Sequence, residues 1–124
     1  MTTALWCVLV AALLPYLVTT VAKAGGDRYD NRNPRAWLEQ QQGWRVRANN
    51  AQLNSFEAFP FFAVAVIVAQ MLQAPQERVD ALAVMFVIVR VLYLACYLAD
   101  WHWARSIAWL IGWLACILLF VSGT

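Results

Sequence analysis

Four long apolar segments alternate with polar connections along the chain, at about residues 4–22, 53–72, 79–99 and 107–121. Each is close to the ~20 residues that an α-helix needs to cross a hydrocarbon core of about 30 Å, and the last is the shortest. Because lipid offers no hydrogen bonds to the backbone, each segment is predicted to be helical, and the lack of alternating apolar and polar positions argues against a barrel. The pattern predicts an all-α membrane protein, a single four-transmembrane-helix up-down bundle over residues 1–124.

The composition strengthens this interpretation. Of the 124 residues, 63% are hydrophobic and only 13% are charged, which lies outside the range of soluble domains. The first segment resembles a secretory signal only loosely, since no lysine or arginine precedes it and it is longer than a signal core. We therefore expect it to remain in the mature protein. The net charge of +2 gives no indication of nucleic-acid binding.

Basic residues concentrate in two of the three connections. The connection over residues 23–49 carries six of the nine lysines and arginines, and the third connection leads into Arg105. The second connection has only Arg78. The positive-inside rule predicts that residues 23–49 form a cytoplasmic loop and that both termini lie away from the cytoplasm. We expect a multi-pass protein of the bacterial inner (cytoplasmic) membrane.

The three cysteines, Cys7, Cys96 and Cys116, all fall within the predicted spans. They form no C-x-x-C pair, and no second type of metal ligand lies near them in the sequence, which argues against a disulfide framework and against a metal site. We interpret them as small apolar packing residues. The tryptophans at Trp109 and Trp113, spaced i, i+4, are expected to pack or to line an acyl-chain groove.

Polar side chains form one stripe on each of two neighbouring spans. At 100° per residue, an arc of about 80° on the second span holds Arg47, Asn50, Asn54 and Glu57. An arc of about 60° on the third span holds Arg90, Tyr93 and Tyr97. An ionisable group inside a membrane span costs roughly 2.5–3.5 kcal/mol on insertion scales, so such groups indicate a partner or a function.

The depths of these residues allow them to meet. With a rise of 1.5 Å per residue, Glu57 lies about 10 Å and Arg90 about 13 Å below the cytoplasmic surface, with Tyr97 shallower and Arg105 at the mouth. One interpretation is a structural ion pair between Glu57 and Arg90 that fixes the register of the two helices. The surplus of donors and acceptors around that pair favours a polar cavity open to the cytoplasm.

The order of these motifs resembles the MAPEG family, the membrane-associated proteins of eicosanoid and glutathione metabolism. The motifs are Asn33-Pro34, an N-x-x-E-x-x-P element from Asn54 to Pro60, an R-x-x-Y-x-x-x-Y element from Arg90 to Tyr97, and Arg105-Ser106. The resemblance covers almost the whole chain and is to a prokaryotic-type member. It implies a homotrimer of four-helix bundles that binds glutathione between subunits, on the cytoplasmic side.

The resemblance also implies roles for individual residues. The glutathione ligands would be Arg47, Gln52, Asn54, Glu57, Tyr93 and Tyr97. Glu57 would accept from the amino group of glutathione while Arg90 braces it, and the two tyrosines would contact the other end of the tripeptide. Arg105 would face the sulfur as the catalytic residue and stabilise a thiolate. The second substrate would be a lipophilic electrophile or hydroperoxide that arrives from the membrane lipids.

Two alternatives to this enzyme hypothesis remain. Asn50 stands where the eicosanoid enzymes carry an arginine, and Ala58 stands where leukotriene synthases carry a tyrosine. The alternative that these departures leave open is a non-catalytic lipid-binding or scaffold member of the same family. Ion transport through Glu57 and Arg90 is a weaker hypothesis, because the polar groups are confined to one leaflet.

Overall fold

The computed structural model describes residues 1–24 and 29–124, and its regular elements are helices. In chain order they are α1 (Thr3–Lys23), α2 (Pro34–Glu39), α3 (Trp44–Met71), α4 (Gln76–Leu98) and α5 (His102–Val121). In this part of the chain, α1, α3, α4 and α5 are long and apolar enough to cross a membrane. The predicted all-α bundle of four membrane helices is therefore confirmed. Arg28, counted above among the basic residues, lies outside the described residues.

The connection between α1 and α3 contains the short helix α2. Pro34 begins α2, where its missing N–H costs nothing, and this short helix buries Trp37 and Leu38. Gly43, at a φ of 66°, turns the chain into α3, which begins at Trp44 rather than near residue 53. Ala48 and Ala51 pack in the core while polar neighbours face outward, so the helix continues past the apolar segment.

The two central helices of the bundle are α3 and α4, which pack against each other. The outer helices flank this pair, with α1 against both α3 and α4, and α5 against both from another side. Small residues such as Ala65, Ala69, Ala83 and Ala115 are fully buried, which lets the helices approach closely.

The core divides into two apolar clusters stacked along the bundle. One cluster, with Phe62, Val66, Phe86 and Leu119, fills the half that holds the chain termini. The other, with residues such as Leu14, Trp37 and Leu94, fills the opposite half, beneath α2. We call these halves the terminal end and the loop end. The candidate site lies where they meet.

A polar cluster holds the helices together at the terminal end. The Asp80 carboxylate on α4 accepts a hydrogen bond from the Ala4 backbone N–H at 2.9 Å and from the Gln76 side-chain amide at 2.7 Å. Gln76 in turn exchanges hydrogen bonds with Gln70 on α3. The first turn of α1 has unpaired N–H groups and a positive dipole end, so the carboxylate stabilises it in both respects.

Replacing Asp80 with alanine is expected to lower the free energy of unfolding by about 1–2 kcal/mol, because the N-terminal N–H of α1 loses its acceptor. Asparagine at this position keeps an acceptor oxygen but not the charge, so it should recover part of the loss. Unfolding in detergent micelles, followed by circular dichroism, measures both variants. Equal stability of the alanine variant and the wild type would contradict this assignment.

Candidate functional site

A buried arginine lies between the two apolar clusters. Arg90 is only 3% exposed, and its guanidinium donates to Asn54 Oδ1 at 3.0 Å and to Ser55 Oγ at 3.1 Å. The guanidinium also lies over the ring of Tyr93, 4.2 Å from its centroid. The Ser55 hydroxyl in turn donates a hydrogen bond to the Ala51 carbonyl oxygen at 2.9 Å. The charge is thus held by neutral oxygens and one aromatic face.

The predicted ion pair between Glu57 and Arg90 is not present among the described residues. Glu57 is exposed and makes no hydrogen bond or salt bridge there. Asn54 and Ser55 point toward α4 and satisfy the guanidinium, whereas Glu57 is turned about 60° from Asn54 toward the outside of the bundle. Glu57 and Arg90 lie near each other but do not form a hydrogen bond or a salt bridge.

A pocket of about 240 Å³ opens beside this network, between α3, α4 and α5, and we call it the Arg90 pocket. Its polar side chains are Asn54, Glu57 and Arg90. Its aromatic walls are Phe61, Phe86, Trp109 and Trp113. The two tryptophans are nearly parallel, with ring centroids 6.2 Å apart and planes at 12°. The Arg90 pocket therefore has a polar edge and mainly aromatic walls.

A second pocket, also of about 240 Å³, lies at the start of α5. It is lined by Tyr93, Tyr97, Arg105, Ser106 and Trp109, and we call it the Arg105 pocket. The Arg105 guanidinium rests over the Tyr97 ring at 4.4 Å, and Tyr97 packs edge-on against Tyr93 at 5.7 Å. Trp109 lines both pockets, so the pocket of Arg105, the predicted catalytic residue, adjoins the Arg90 pocket.

A third, larger pocket of about 580 Å³ is lined by Gln52 and not by the other predicted glutathione ligands. Gln52 and Asn50 line it together with Arg35 and Glu39 near α2, so we call it the Gln52 pocket. The Gln52 side-chain oxygen is buried and has no hydrogen-bond partner among residues 1–24 and 29–124. On α3, the residues of this pocket point about 110° away from those of the Arg90 pocket. Within one chain, Gln52 and Glu57 therefore do not share a cavity.

Arg47 has a structural contact in this fold. Its Nε and Nη2 atoms donate to the carbonyl oxygen of Leu98, the last residue of α4, at 3.2 Å and 3.1 Å. The last carbonyls of a helix have no intrahelical partner, so a basic side chain stabilises them. The resemblance placed Arg47 among the glutathione ligands, whereas here its guanidinium caps α4.

Ser55 is the member of the network that the sequence analysis missed. Serine is short and weakly polar, and it falls outside the arc that contains Asn54 and Glu57, so the stripe of polar residues did not include it. A search for acceptors at the depth of Arg90 on the facing helix would have found it. Within the described ranges, no cluster of three or more histidine, cysteine or acidic residues is suited to a metal ion.

Comparison with known proteins identifies a family. The MAPEG family matches residues 3–123, which is nearly the whole chain. No curated protein and no solved structure matches the chain significantly. The family is a membrane four-helix bundle, in agreement with the four apolar helices described above. This chain therefore belongs to the MAPEG family.

Proposed function

We propose that this protein is an integral membrane glutathione-dependent transferase or peroxidase that acts on lipophilic electrophiles. Membership of the MAPEG family supports a glutathione-related transferase, peroxidase or related function in general. The observation that carries the specific proposal is Glu57, a carboxylate without a partner in the described chain, at the polar edge of a pocket that also holds the Arg90 charge. Glutathione is a zwitterionic thiol peptide, and its ammonium group would pair with the Glu57 carboxylate.

The proposed site is shared between copies of the chain in a homotrimer. Glu57 lies on the outside of a membrane helix, where an uncovered carboxylate is costly, so a neighbouring subunit is expected to cover it. The Gln52 pocket and the Arg90 pocket flank the same outward edge of α3. Packing of α3 edges would place the Gln52 pocket of one copy against the Arg90 pocket of the next, which would unite Gln52 with Asn54 and Glu57.

In this arrangement each group has a chemical role. Glu57 accepts hydrogen bonds from the ammonium group of glutathione, and Asn54 and Gln52 bind its peptide groups. Tyr93 and Tyr97 bind the far end. A thiol has a pKa of roughly 8.5, and each unit of lowering corresponds to about 1.4 kcal/mol of preferential thiolate stabilisation. The charge of Arg105 in a partly dry site would provide this stabilisation. The thiolate sulfur would then bond to the electrophilic atom of the acceptor, and the bond from that atom to its leaving group, or the O–O bond of a hydroperoxide, would break and release its electron pair to the departing oxygen or other leaving atom.

The site is proposed to face the cytoplasm of a bacterial cell, with the protein in the inner membrane and both termini on the far side. The loop end carries Lys23, Arg32, Arg35, Arg45 and Arg47, as the positive-inside rule requires of a cytoplasmic side. Glutathione would enter from this aqueous side. The acceptor would enter from the bilayer.

Changing Glu57 to glutamine is expected to raise the dissociation constant for glutathione about tenfold, because about 1.4 kcal/mol of charge-assisted binding is lost. Equilibrium dialysis of radiolabelled glutathione with the detergent-purified protein measures this constant. Glu77→Gln is the matched control, because Glu77 is an exposed glutamate at the terminal end. Unchanged binding in Glu57→Gln would overturn the role assigned to Glu57.

A second candidate function is a non-catalytic lipid-binding or scaffold protein. The observation that favours it is the aromatic lining of the Arg90 pocket, together with the engagement of Arg47 in capping α4. This candidate predicts lipid that co-purifies in a fixed ratio to protein, and no effect of glutathione on stability. Mass spectrometry of the purified protein and thermal melting distinguish the two candidates.

A further inference from the structure

We propose that the junction between the end of α1 and the start of α3 binds the phosphate of one anionic phospholipid. Lys23 and Arg45 supply the positive charge, and the rings of Tyr29 and Trp44 lie against them. We call these four residues the junction site. It lies at the loop end and contains none of the residues assigned to glutathione.

A hydrogen bond between the two helices brings the two cations together. The Arg45 guanidinium reaches from the first turn of α3 and donates through Nη2 to the Ala24 carbonyl oxygen at 3.1 Å. Ala24 directly follows Lys23, the last residue of α1. The C-terminal carbonyls of a helix carry a partial negative charge, which favours cations there but neutralises them only in part. Two basic groups therefore share one end of α1 with charge to spare.

The positive charges of the junction site have no acidic partner within residues 1–24 and 29–124. The acidic residues of the loop end in these ranges are Asp30, Glu39 and Asp100, and none of them forms a salt bridge there. The Asp30 carboxylate instead accepts a hydrogen bond from the Arg32 backbone N–H at 3.0 Å. The site is therefore available to an anion from the surrounding membrane.

The Arg45 guanidinium keeps donors for such an anion. A guanidinium has five N–H groups, and the Ala24 carbonyl engages one of them. The Nε N–H is buried without an acceptor in the described parts of the chain, which is an unfavourable state for a charged group. An anionic oxygen beside the guanidinium would stabilise it, and the remaining Nη donors permit the two-pronged contact that arginine makes with phosphate.

The lengths of the two helices place the junction site at the level of the lipid headgroups. The 21 residues of α1 extend over about 31 Å, which matches a hydrocarbon core of about 30 Å. The opposite ends of α1 and α3 are level, since the Thr2 hydroxyl donates to Gln70 Oε1 at 3.3 Å. With 28 residues, α3 extends over about 42 Å, so its first turn passes beyond the hydrocarbon. Lys23 and Arg45 therefore lie at the depth of lipid phosphates.

The aromatic rings of the site favour a lipid over a free phosphate. The Lys23 Nζ atom lies 4.5 Å from the centroid of the Tyr29 ring. The Arg45 guanidinium lies at the same distance from the ring of Trp44, which is partly exposed. Tyrosine and tryptophan are enriched at the membrane boundary, where their rings contact both apolar chains and polar headgroups. The rings thus suit a ligand whose phosphate is attached to hydrocarbon chains.

The charge of the junction site selects the class of lipid. Both of its ionised groups are cations, so a headgroup that carries its own ammonium group is partly repelled. A headgroup whose phosphate is its only charge meets no such repulsion. We therefore assign the site to an anionic glycerophospholipid, with phosphatidylglycerol as the probe.

The test is native mass spectrometry of the delipidated protein in a neutral detergent, titrated with phosphatidylglycerol. We expect saturable binding of one lipid per chain. Phosphatidylcholine with the same acyl chains should bind about fivefold more weakly, and glycerol phosphate, which has no chains, should show no saturable binding. Equal binding of phosphatidylcholine would overturn the anionic class. Binding of glycerol phosphate as tight as that of the lipid would overturn the assignment to a lipid.

Variants locate the lipid at the junction. Lys23→Gln and Arg45→Gln should each weaken phosphatidylglycerol binding about fivefold, and the double variant about 25-fold. Arg32→Gln is the matched control and should leave the affinity unchanged, because Arg32 is exposed at the same end of the bundle and lies outside the junction site. Equal losses in Arg32→Gln and Arg45→Gln would refute a localised site, since a diffuse basic surface would give that result.

Melting temperatures in detergent without lipid separate binding from folding. Arg45→Gln also loses the hydrogen bond to Ala24, whereas Arg45→Lys keeps the charge and should retain more of the lipid affinity. Lys23→Gln should melt like the wild type and still bind the lipid more weakly. Wild-type affinity in Lys23→Gln, with a loss confined to Arg45→Gln and matched by a lower melting temperature, would assign Arg45 a purely structural role and overturn the proposal. No measurement uses glutathione, so the result is independent of the proposed function.

Discussion

Replacing Arg90 with alanine is expected to lower the free energy of unfolding by about 2–4 kcal/mol. The substitution leaves a cavity between the two apolar clusters, and it removes the donors that satisfy Asn54 and Ser55. Cavities of this kind and unpaired buried polar groups each cost about 1–3 kcal/mol or more. Reversible unfolding in detergent micelles, followed by circular dichroism, gives the value.

Two further variants separate the causes of this loss. Methionine at position 90 fills most of the space, so only the unpaired oxygens should remain, at about 1–2 kcal/mol. Arg78→Ala is the matched control: it removes an exposed arginine from the same helix and should change stability by less than about 0.5 kcal/mol. If Arg90→Ala were as stable as Arg78→Ala, the network would not hold α3 to α4.

Replacing Arg105 with alanine is expected to lower kcat/KM for a lipophilic electrophile by about 10–100-fold. The proposed site uses the Arg105 charge to stabilise the thiolate, and each tenfold change in rate corresponds to about 1.4 kcal/mol. The ultraviolet absorbance of the thiolate should fall in parallel when glutathione is added. Both measurements require only the purified protein.

The fold should survive this substitution, because the Arg105 side chain is half-buried and rests mainly on the face of Tyr97. Arg105→Lys keeps the charge and should recover part of the rate. Arg78→Ala again controls for the loss of a positive charge elsewhere. Full activity and an unchanged thiolate signal in Arg105→Ala would remove Arg105 from the catalytic role.

The membrane helices could be predicted from the sequence because the thickness of the hydrocarbon core fixes the length of an apolar helix. The start of α3 could not, since residues 44–52 are mixed in polarity. Their helical state depends on tertiary contacts, such as the buried Ala48 and Ala51 and the reach of Arg47 to Leu98. Propensity and hydropathy are weak guides where such contacts decide.

The proximity of the polar residues on α3 and α4 could also be predicted from the sequence. The hydrogen-bond partners of Arg90 could not. Spacing along a helix gives the angle between side chains on that helix, and rise gives their depth. Neither gives the rotation of one helix relative to its neighbour. The rotation of α3 turns Ser55 into the interface with α4 and Glu57 out of it, so Arg90 bonds to Asn54 and Ser55. The same rotation places Gln52 in a separate pocket.

Glutathione binding is the central claim, and a melting curve of the purified protein with and without glutathione tests it most directly. Ligand at a hundred times its dissociation constant should add about 2.7 kcal/mol to the free energy of unfolding, and this gain should be smaller in Glu57→Gln than in Glu77→Gln. A rise in melting temperature that saturates with glutathione concentration is the predicted result. No shift at millimolar glutathione would contradict the proposed transferase and favour the lipid-binding alternative.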